Sequence, residues 1–205
     1  MRNTDAAAAA AAPGAGDLPV TKELENAYRQ ELYRHRFMLT LRSTVFTLVV
    51  VAATAVLVAV LLLPVLRIYG RSMHGTLDSG DIVVSFKGSD FKSGEIIAFY
   101  YNNNILVKRV IAHAGEWVDM DEDGFVYVNN QKLEEPYLPE GARAYGETNI
   151  EFPYQVPEGK IFVMGDNRAV SVDSRNTSIG CVAEEQIVGR IVFRLWPLAG
   201  IGPVQ

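Results

Sequence analysis

The sequence has very little cysteine and histidine: one Cys and three His among 205 residues. A single cysteine cannot form a disulfide within the chain, and it cannot build the thiol cluster that holds a structural zinc ion. The histidines, His35, His74 and His113, are too scattered to suggest a Ser-His-Asp arrangement. Disulfide-stabilised folds are therefore excluded, and the sequence predicts neither a metal site nor a cofactor.

Charge is missing from one long stretch. The 24 residues between Arg42 and Arg67, "STVFTLVVVAATAVLVAVLLLPVL", contain no charged side chain. As a helix they would span about 36 Å, which is enough to cross the hydrocarbon core of a bilayer. A cleaved leader would have a shorter apolar region, and a soluble core helix is seldom so uniformly apolar. The sequence predicts a transmembrane helix over residues 43–66.

The flanks of this helix predict its orientation. Four arginines closely precede it: Arg29, Arg34, Arg36 and Arg42. Positive charge is retained in the cytoplasm, so we expect residues 1–42 to form a cytoplasmic tail and residues 67–205 to lie outside. Residues 1–20 are Ala-rich and predicted to be disordered or marginally helical, whereas Thr21 to Arg42 has the composition of a helix.

The outer part has a different pattern. Its apolar runs are short, rich in β-branched and aromatic residues, and separated by Gly, Asn, Asp and Pro. We predict a mostly β fold, an antiparallel β-domain tethered by one N-terminal transmembrane helix. Residues 68–205 carry 12 Lys and Arg against 19 Asp and Glu, a net charge of −7. Nucleic acid is not expected as a partner, because binding it requires the opposite sign.

Two adjacent cations interrupt one apolar strand pattern, "ILVKRVI". Side chains alternate between the faces of a strand, so Lys108 and Arg109 must point to opposite sides. Burial favours the neutral amine of a lysine, which can then act as a general base. An edge strand carrying a lysine that prevents aggregation is the alternative.

Polar residues crowd the stretch "VMGDNRAVSVDSR", residues 163–175, directly after an apolar strand pattern. Asp166 and its neighbours have the composition of a turn. Asp173 and Arg175 alternate with Ser171 and could pair with each other. A solvated loop is one interpretation, and a buried polar network around a reactive group is the other.

The acidic stretch "DMDEDG", residues 119–124, resembles the start of a calcium-binding loop. Asn130 occupies the twelfth position, where such a loop needs a carboxylate, and the flanking patterns are those of strands. The stretch is better interpreted as a hairpin turn.

Ser72 lies in "YGRSMHGTLDSGDIVV", soon after the predicted membrane helix. The five residues from Arg67 to Ser72 reach at most about 17–18 Å. The hydroxyl of Ser72 is therefore expected close to the lipid headgroups.

Five motifs together resemble the bacterial type I signal peptidases, in the short single-anchor form of Gram-positive bacteria. They are "GRSMHGTLDSGDIVV", "VKRVIAHAGEWV", "GFVYVNNQKLEEPYL", "VMGDNRAVSVDSR" and "IVGRIVFRLWPL". The resemblance covers residues 45–200. It implies a membrane-bound serine endopeptidase that removes signal peptides from secreted preproteins after small residues, of the Ala-x-Ala type.

The resemblance also implies roles for particular residues. Ser72 would be the nucleophile of an acyl-enzyme mechanism and Lys108 the neutral general base, with Ser171 orienting the lysine. Asp166, Asp173 and Arg175 match supporting positions, and we select Met73 and Ile68 as candidate substrate-pocket residues because they are apolar and close to Ser72.

Two glycines depart from the family pattern. Gly75 stands where relatives usually have proline, which predicts a looser loop. Gly70 stands where some relatives have a serine hydroxyl that helps to stabilise the oxyanion.

Alternatives remain open. A related Ser/Lys protease with a narrower target would share these motifs, and a non-catalytic tethered β binding domain would need none of the chemistry. A sortase-like enzyme would use Cys181, but no suitable histidine and arginine accompany it. The expected partners are preproteins with signal peptides, the lipid bilayer and the translocon.

Overall fold

The computed structural model describes residues 21–88, 90–139 and 141–204, apart from the side chain of Glu23. The predicted Ala-rich tail, residues 1–20, lies outside the described residues. The chain divides into two compact units, residues 1–55 and residues 56–205. The described part of the first unit is helical, and the second contains the end of that helix and every described strand.

Helix α1 runs from Lys22 to Leu62 without a break. It is long and apolar enough to cross a membrane, with a mean hydropathy of 3.0 over its most apolar 18-residue window. We had predicted that the apolar helix extends to residue 66, but it ends at Leu62. Pro64 has no N–H to donate, and its ring disfavours helical geometry at the preceding residue. Val65–Arg67 instead forms a strand.

The rest of the described chain is mostly β. The strands in order are β1 (Val65–Arg67), β2 (Ile82–Phe86), β3 (Ile96–Tyr101), β4 (Asn104–Ala112), β5 (Trp117–Met120), β6 (Val126–Val128), β7 (Gln131–Lys132), β8 (Tyr154–Gln155), β9 (Lys160–Met164), β10 (Val182–Ala183), β11 (Ile187–Trp196) and β12 (Gly202–Pro203). Two short 3₁₀ turns, Glu184–Gln186 and Leu198–Gly200, flank β11.

These strands form two antiparallel sheets, and the predicted fold class is confirmed. The larger sheet has the order β1-β2-β11-β3-β4-β9-β10, with β12 also paired to β11; the smaller has the order β7-β6-β5-β8. Two tight hairpins depend on asparagine, which tolerates a positive φ better than most residues. Asn102 and Asn103 connect β3 to β4, and Asn129 and Asn130 connect β6 to β7, all four with φ between 42° and 63°.

The acidic stretch at residues 119–124 is a hairpin turn, as predicted. Strands β5 and β6 pair antiparallel around it, with Met120 opposite Val126. Asp121 closes the turn by accepting hydrogen bonds from the backbone N–H of Gly124 and Phe125.

Strand β4 lies in the interior of the larger sheet, between β3 and β9. The alternative of an edge strand protected by a lysine is therefore wrong. Apolar clusters pack around this sheet, and β4 contributes to each of them through Val107, Val110 and Ile111. Both cations of β4 are consequently buried: Lys108 is 3% exposed and Arg109 is 1% exposed.

Candidate active site

Ser72 lies in the loop between β1 and β2, and its side chain is only half-buried. The loop is held to the polar stretch after β9. The backbone N–H of Asn167 donates to the carbonyl oxygen of Ser72 at 3.0 Å. The side-chain amide of Asn167 donates to the carbonyl oxygen of Arg71 at 3.1 Å. Ser72 is thus accessible, with a backbone fixed by a neighbouring segment.

Lys108 is brought into direct contact with Ser171. Its Nζ donates a hydrogen bond to the Ser171 Oγ at 2.9 Å. Burial is the main influence on the lysine and lowers its pKa to about 8. The negative charges of Asp173 and Asp166 oppose this fall, and Arg175 adds to it. A substantial fraction of Lys108 is therefore neutral in mildly alkaline solution.

Gly165 joins Ser72 to the Lys108–Ser171 pair. A Cβ atom at position 165 would lie 2.5 Å from the Ser72 carbonyl oxygen and still closer to the Ser171 hydroxyl. Any other residue would collide with both serines. The Ser72 carbonyl oxygen and the Ser171 side chain therefore occupy the space into which a side chain at position 165 would project, which is the reason that the chain needs glycine at this point.

The ion pair expected between Asp173 and Arg175 is present and fully buried. The guanidinium forms two hydrogen bonds with the carboxylate, at 2.8 and 2.9 Å. Asp173 also accepts a hydrogen bond from the N–H of Gly165 at 2.9 Å. Burial alone would raise the pKa of Asp173, but the hydrogen bond and charge of Arg175 outweigh it and lower that pKa. The carboxylate stays ionised and fixes the Gly165 peptide.

Asp166 forms a second buried ion pair, with Arg109. The guanidinium donates to both carboxylate oxygens, at 2.7 and 2.8 Å. Thr76 donates its hydroxyl to Asp166 at 2.6 Å. Since Thr76 follows Ser72 in the same loop, Asp166 connects that loop to strand β4.

Ile68 and Met73 are buried, 5% and 2% exposed, and pack in one apolar cluster with Leu77 and Val83. Both also line a cavity of about 710 Å³ that opens beside Ser72. The other lining residues come from the end of β1, the start of the loop, the β3–β4 hairpin and strand β4: Leu66, Arg67, Tyr69, Gly70, Tyr101, Asn103, Asn104, Ile105, Leu106 and Val107. Ile68 and Met73 thus belong both to the apolar core and to the wall of the cavity.

A third buried ion pair was missed by the sequence interpretation. Arg168, which we had assigned to a turn, is 0% exposed and pairs with Glu135 from the segment after β7. The Arg168 Nε also donates to the carbonyl oxygen of Gly165 at 3.1 Å. Glu135 belongs to the motif "GFVYVNNQKLEEPYL", but its sequence gives no indication that one of its two adjacent glutamates is buried.

The structure separates other candidate residues from this cluster. His74 is exposed and contacts Asp78 within its own loop. Cys181 packs beside the cluster that contains Val118 and Phe162, and burial raises the pKa of its thiol. Neither side chain joins the group around Lys108.

Gly75 adopts a φ of +104°, far from the value of about −65° that proline requires. A proline could therefore not replace it without a change in the backbone of this loop. Gly70, with a φ of +89°, has open space where a side chain would project.

Comparison with known proteins shows the family to which the chain belongs. A family model described as signal peptidase, peptidase S26, matches residues 41–196. Signal peptidase IB of Staphylococcus aureus is 37% identical over 150 residues, 64% of this chain and 77% of that protein. Signal peptidase I T of Bacillus subtilis is 36% identical over 163 residues, 70% of this chain and 83% of that protein.

Among solved structures, a signal peptidase I from Enterococcus faecalis matches with 31% identity and a TM-score of 0.43. The match covers 49% of this chain and 96% of that one. The family model and the curated relatives place the chain in the class of peptidases. It belongs to the signal peptidase family, peptidase S26, because the family model spans well over half of its length.

Proposed function

We propose that this chain is a membrane-anchored serine endopeptidase that removes signal peptides from secreted preproteins. The observation that carries the proposal is the buried hydrogen bond between Lys108 and Ser171, next to the accessible Ser72. A desolvated lysine held by a hydroxyl, beside a second serine, has the chemistry of a nucleophile and its base. Membership of the signal peptidase family supports the same reaction.

In the proposed mechanism, the neutral amine of Lys108 accepts the proton of the Ser72 hydroxyl as its oxygen attacks the scissile carbonyl carbon. The Lys108 ammonium then gives this proton to the leaving amine, and an acyl-enzyme remains on Ser72. Water, deprotonated by the same lysine, hydrolyses the ester. The backbone N–H of Ser72 would stabilise the oxyanion.

The other polar residues hold this arrangement in place. Ser171 orients Lys108 through its hydrogen bond, and the Asp173–Arg175 pair holds Gly165, against which both serines pack. Asp166 connects the loop of Ser72 to β4. These residues act through position rather than by contact with the reacting bond.

The cavity beside Ser72 would receive the residues before the scissile bond. Met73 and Ile68 form part of its apolar wall, which suits apolar side chains, and alanine is one that it would admit. We therefore propose cleavage after small residues, of the Ala-x-Ala type, with preproteins as the substrates.

The anchor supports a location at the membrane surface. The carbonyl oxygens of Leu62 and Pro64 accept hydrogen bonds from the backbone of Lys87 and Ser85, so the helix ends directly at the β-domain. Ser72 lies ten residues after the end of the helix at Leu62, rather than six residues after the predicted end at residue 66. We propose a single-pass protein in the bilayer, with a cytoplasmic N-terminus, in contact with the translocon.

Cleavage of a preprotein tests the proposal. The full chain in detergent micelles is incubated with a precursor that carries an Ala-x-Ala site, and the new N-terminus is sequenced. We expect one cut after the second alanine, lost in Ser72→Ala and in Lys108→Ala and retained in the matched control Ser178→Ala. A precursor that binds but is never cut would favour the tethered binding domain. Cleavage by either alanine variant would exclude Ser72 and Lys108 as nucleophile and general base.

A further inference from the structure

The buried pair of Glu135 and Arg168 lies outside the residues assigned to the reaction. Both side chains are 0% exposed and in direct contact. Burying two charges costs a large desolvation penalty, and two apolar residues of similar volume are often as stable. A contribution to stability alone is therefore a poor explanation for this ion pair. Its contacts suggest that it positions other residues.

Arg168 determines where Gly165 lies. Its Nε donates to the Gly165 carbonyl oxygen, while Asp173 accepts from the Gly165 N–H. The peptide groups on both sides of this glycine are thus each held by a buried charged residue. The Ser72 carbonyl oxygen and the Ser171 hydroxyl both pack against the face of this glycine from which a side chain would project. A shift of Gly165 would change the separation of the two serines directly.

Glu135 in turn holds Arg168. One of its oxygens accepts from the Arg168 Nη2 and also from the Tyr137 hydroxyl, the latter at 3.2 Å. The ring of Tyr137 stacks under the guanidinium of Arg109, 3.7 Å from its centroid. Arg109 is the partner of Asp166. The short segment from Glu135 to Tyr137 therefore reaches two of the three buried ion pairs.

We infer that Glu135 is a positioning residue of the peptidase reaction, acting through Arg168 and the Gly165 carbonyl on the separation of Ser72 from the Lys108–Ser171 pair. The inference rests on the proposed function. Glu135 touches neither substrate nor reacting atoms in this account. Its loss should therefore lower kcat and leave KM nearly unchanged, because the substrate cavity beside Ser72 is formed by other residues.

The test separates rate from stability. Glu135→Gln keeps the shape and an acceptor but removes the charge. The double variant Glu135→Leu with Arg168→Met fills the same space with apolar groups and removes the hydrogen bond to Gly165. Glu134→Gln is the matched control, since Glu134 is the exposed neighbour in the same segment. For each variant, kcat and KM are measured per folded molecule, and thermal unfolding gives the stability.

We expect Glu135→Gln to lower kcat by about 10-fold and the double variant to lower it by about 10- to 100-fold, each with KM within about twofold. The double variant should unfold slightly below the wild-type temperature, because Arg143 loses its contact with Glu135, and Glu134→Gln should match the wild type throughout. Wild-type kcat in the double variant would overturn the inference. So would failure of both variants to fold, because the pair would then be a requirement of folding alone. If the wild-type chain itself cuts no precursor, the proposed function fails first, before any variant is considered.

Discussion

Lys108 and Arg109 are adjacent on strand β4, equally buried, and surrounded very differently. Arg109 is held by both oxygens of Asp166 and by the aromatic face of Tyr137. Lys108 has a neutral partner, the Ser171 hydroxyl, at 2.9 Å. The positive charge of Arg109 is thus compensated by a carboxylate in direct contact. The amine of Lys108 contacts a hydroxyl instead.

The difference teaches how one strand can supply a structural cation and a base at neighbouring positions. A carboxylate in contact makes the charged form of its partner favourable, whereas a hydroxyl accepts a hydrogen bond without offsetting the cost of burial. The pKa of Lys108 accordingly falls to about 8, chiefly through burial. Asp173 and Asp166 act on it only from a distance, which limits the fall.

The largest effect is expected from replacing Lys108 by a side chain that cannot lose its proton. Lys108→Arg keeps a cation on this side of the strand but provides no neutral form. We expect the rate of precursor cleavage to fall by about 100- to 10,000-fold. Lys108→Met, which is uncharged and similar in length, should fold and be equally inactive. Activity in Lys108→Arg close to that of the wild type would remove the base from the mechanism.

Removing the carboxylate on the other side should act mainly on stability. Asp166→Asn removes the carboxylate charge that contacts the buried guanidinium of Arg109, which should reduce the free energy of unfolding by about 3–5 kcal/mol. Chemical denaturation of the detergent-solubilised chain measures the loss. Asp78→Asn, in an exposed pair with His74, should have no such effect. Equal stabilities of the two variants would mean that the Asp166 pair is not a structural one.

Ser171→Ala tests whether the hydroxyl orients the lysine. The amine of Lys108 would lose its 2.9 Å partner, while the packing of β4 would remain. We expect kcat to fall by about 10-fold, with stability close to that of the wild type. Ser178→Ala, an exposed serine of the same segment, is the matched control. An unchanged kcat would contradict this role of Ser171, because packing alone would then be enough to position the Lys108 amine.

A smaller effect is expected from Arg109→Lys, which keeps the charge and loses the two-pronged geometry. The free energy of unfolding should fall by about 1–3 kcal/mol, because one ammonium cannot occupy both oxygens of Asp166 as the guanidinium does. Arg190→Lys, in a partly exposed pair with Glu95, should change it less. A larger loss of unfolding free energy in Arg190→Lys than in Arg109→Lys would contradict the structural role given to the Arg109–Asp166 pair.

Much of the fold followed from local patterns. The alternation of apolar residues predicted the strands, the acidic turn was correctly interpreted as a hairpin, and two adjacent cations in an apolar run required two different environments. Proximity in the sequence was sufficient for the Asp173–Arg175 pair, whose members are two residues apart. These features depend on neighbours along the chain.

What could not be predicted depends on the packing of distant segments. Glu135 and Arg168 are separated by 33 residues. Glu135 follows an exposed glutamate, Glu134, and Arg168 lies in a stretch with the composition of a turn. Placing β4 between β3 and β9 required the strand order, which local pattern does not contain. Helix α1 ends at Leu62 rather than at residue 66, because Pro64 disfavours helical geometry at the residue before it.

The pH dependence of kcat/KM tests most directly whether a neutral Lys108 activates Ser72. The base must be unprotonated, so kcat/KM should rise with pH through the pKa of the lysine in the free enzyme. With that pKa lowered to about 8, the acidic limb should have its midpoint near pH 8. A midpoint near the ordinary lysine pKa of about 10.4 would contradict the account, because Lys108 would then not be desolvated.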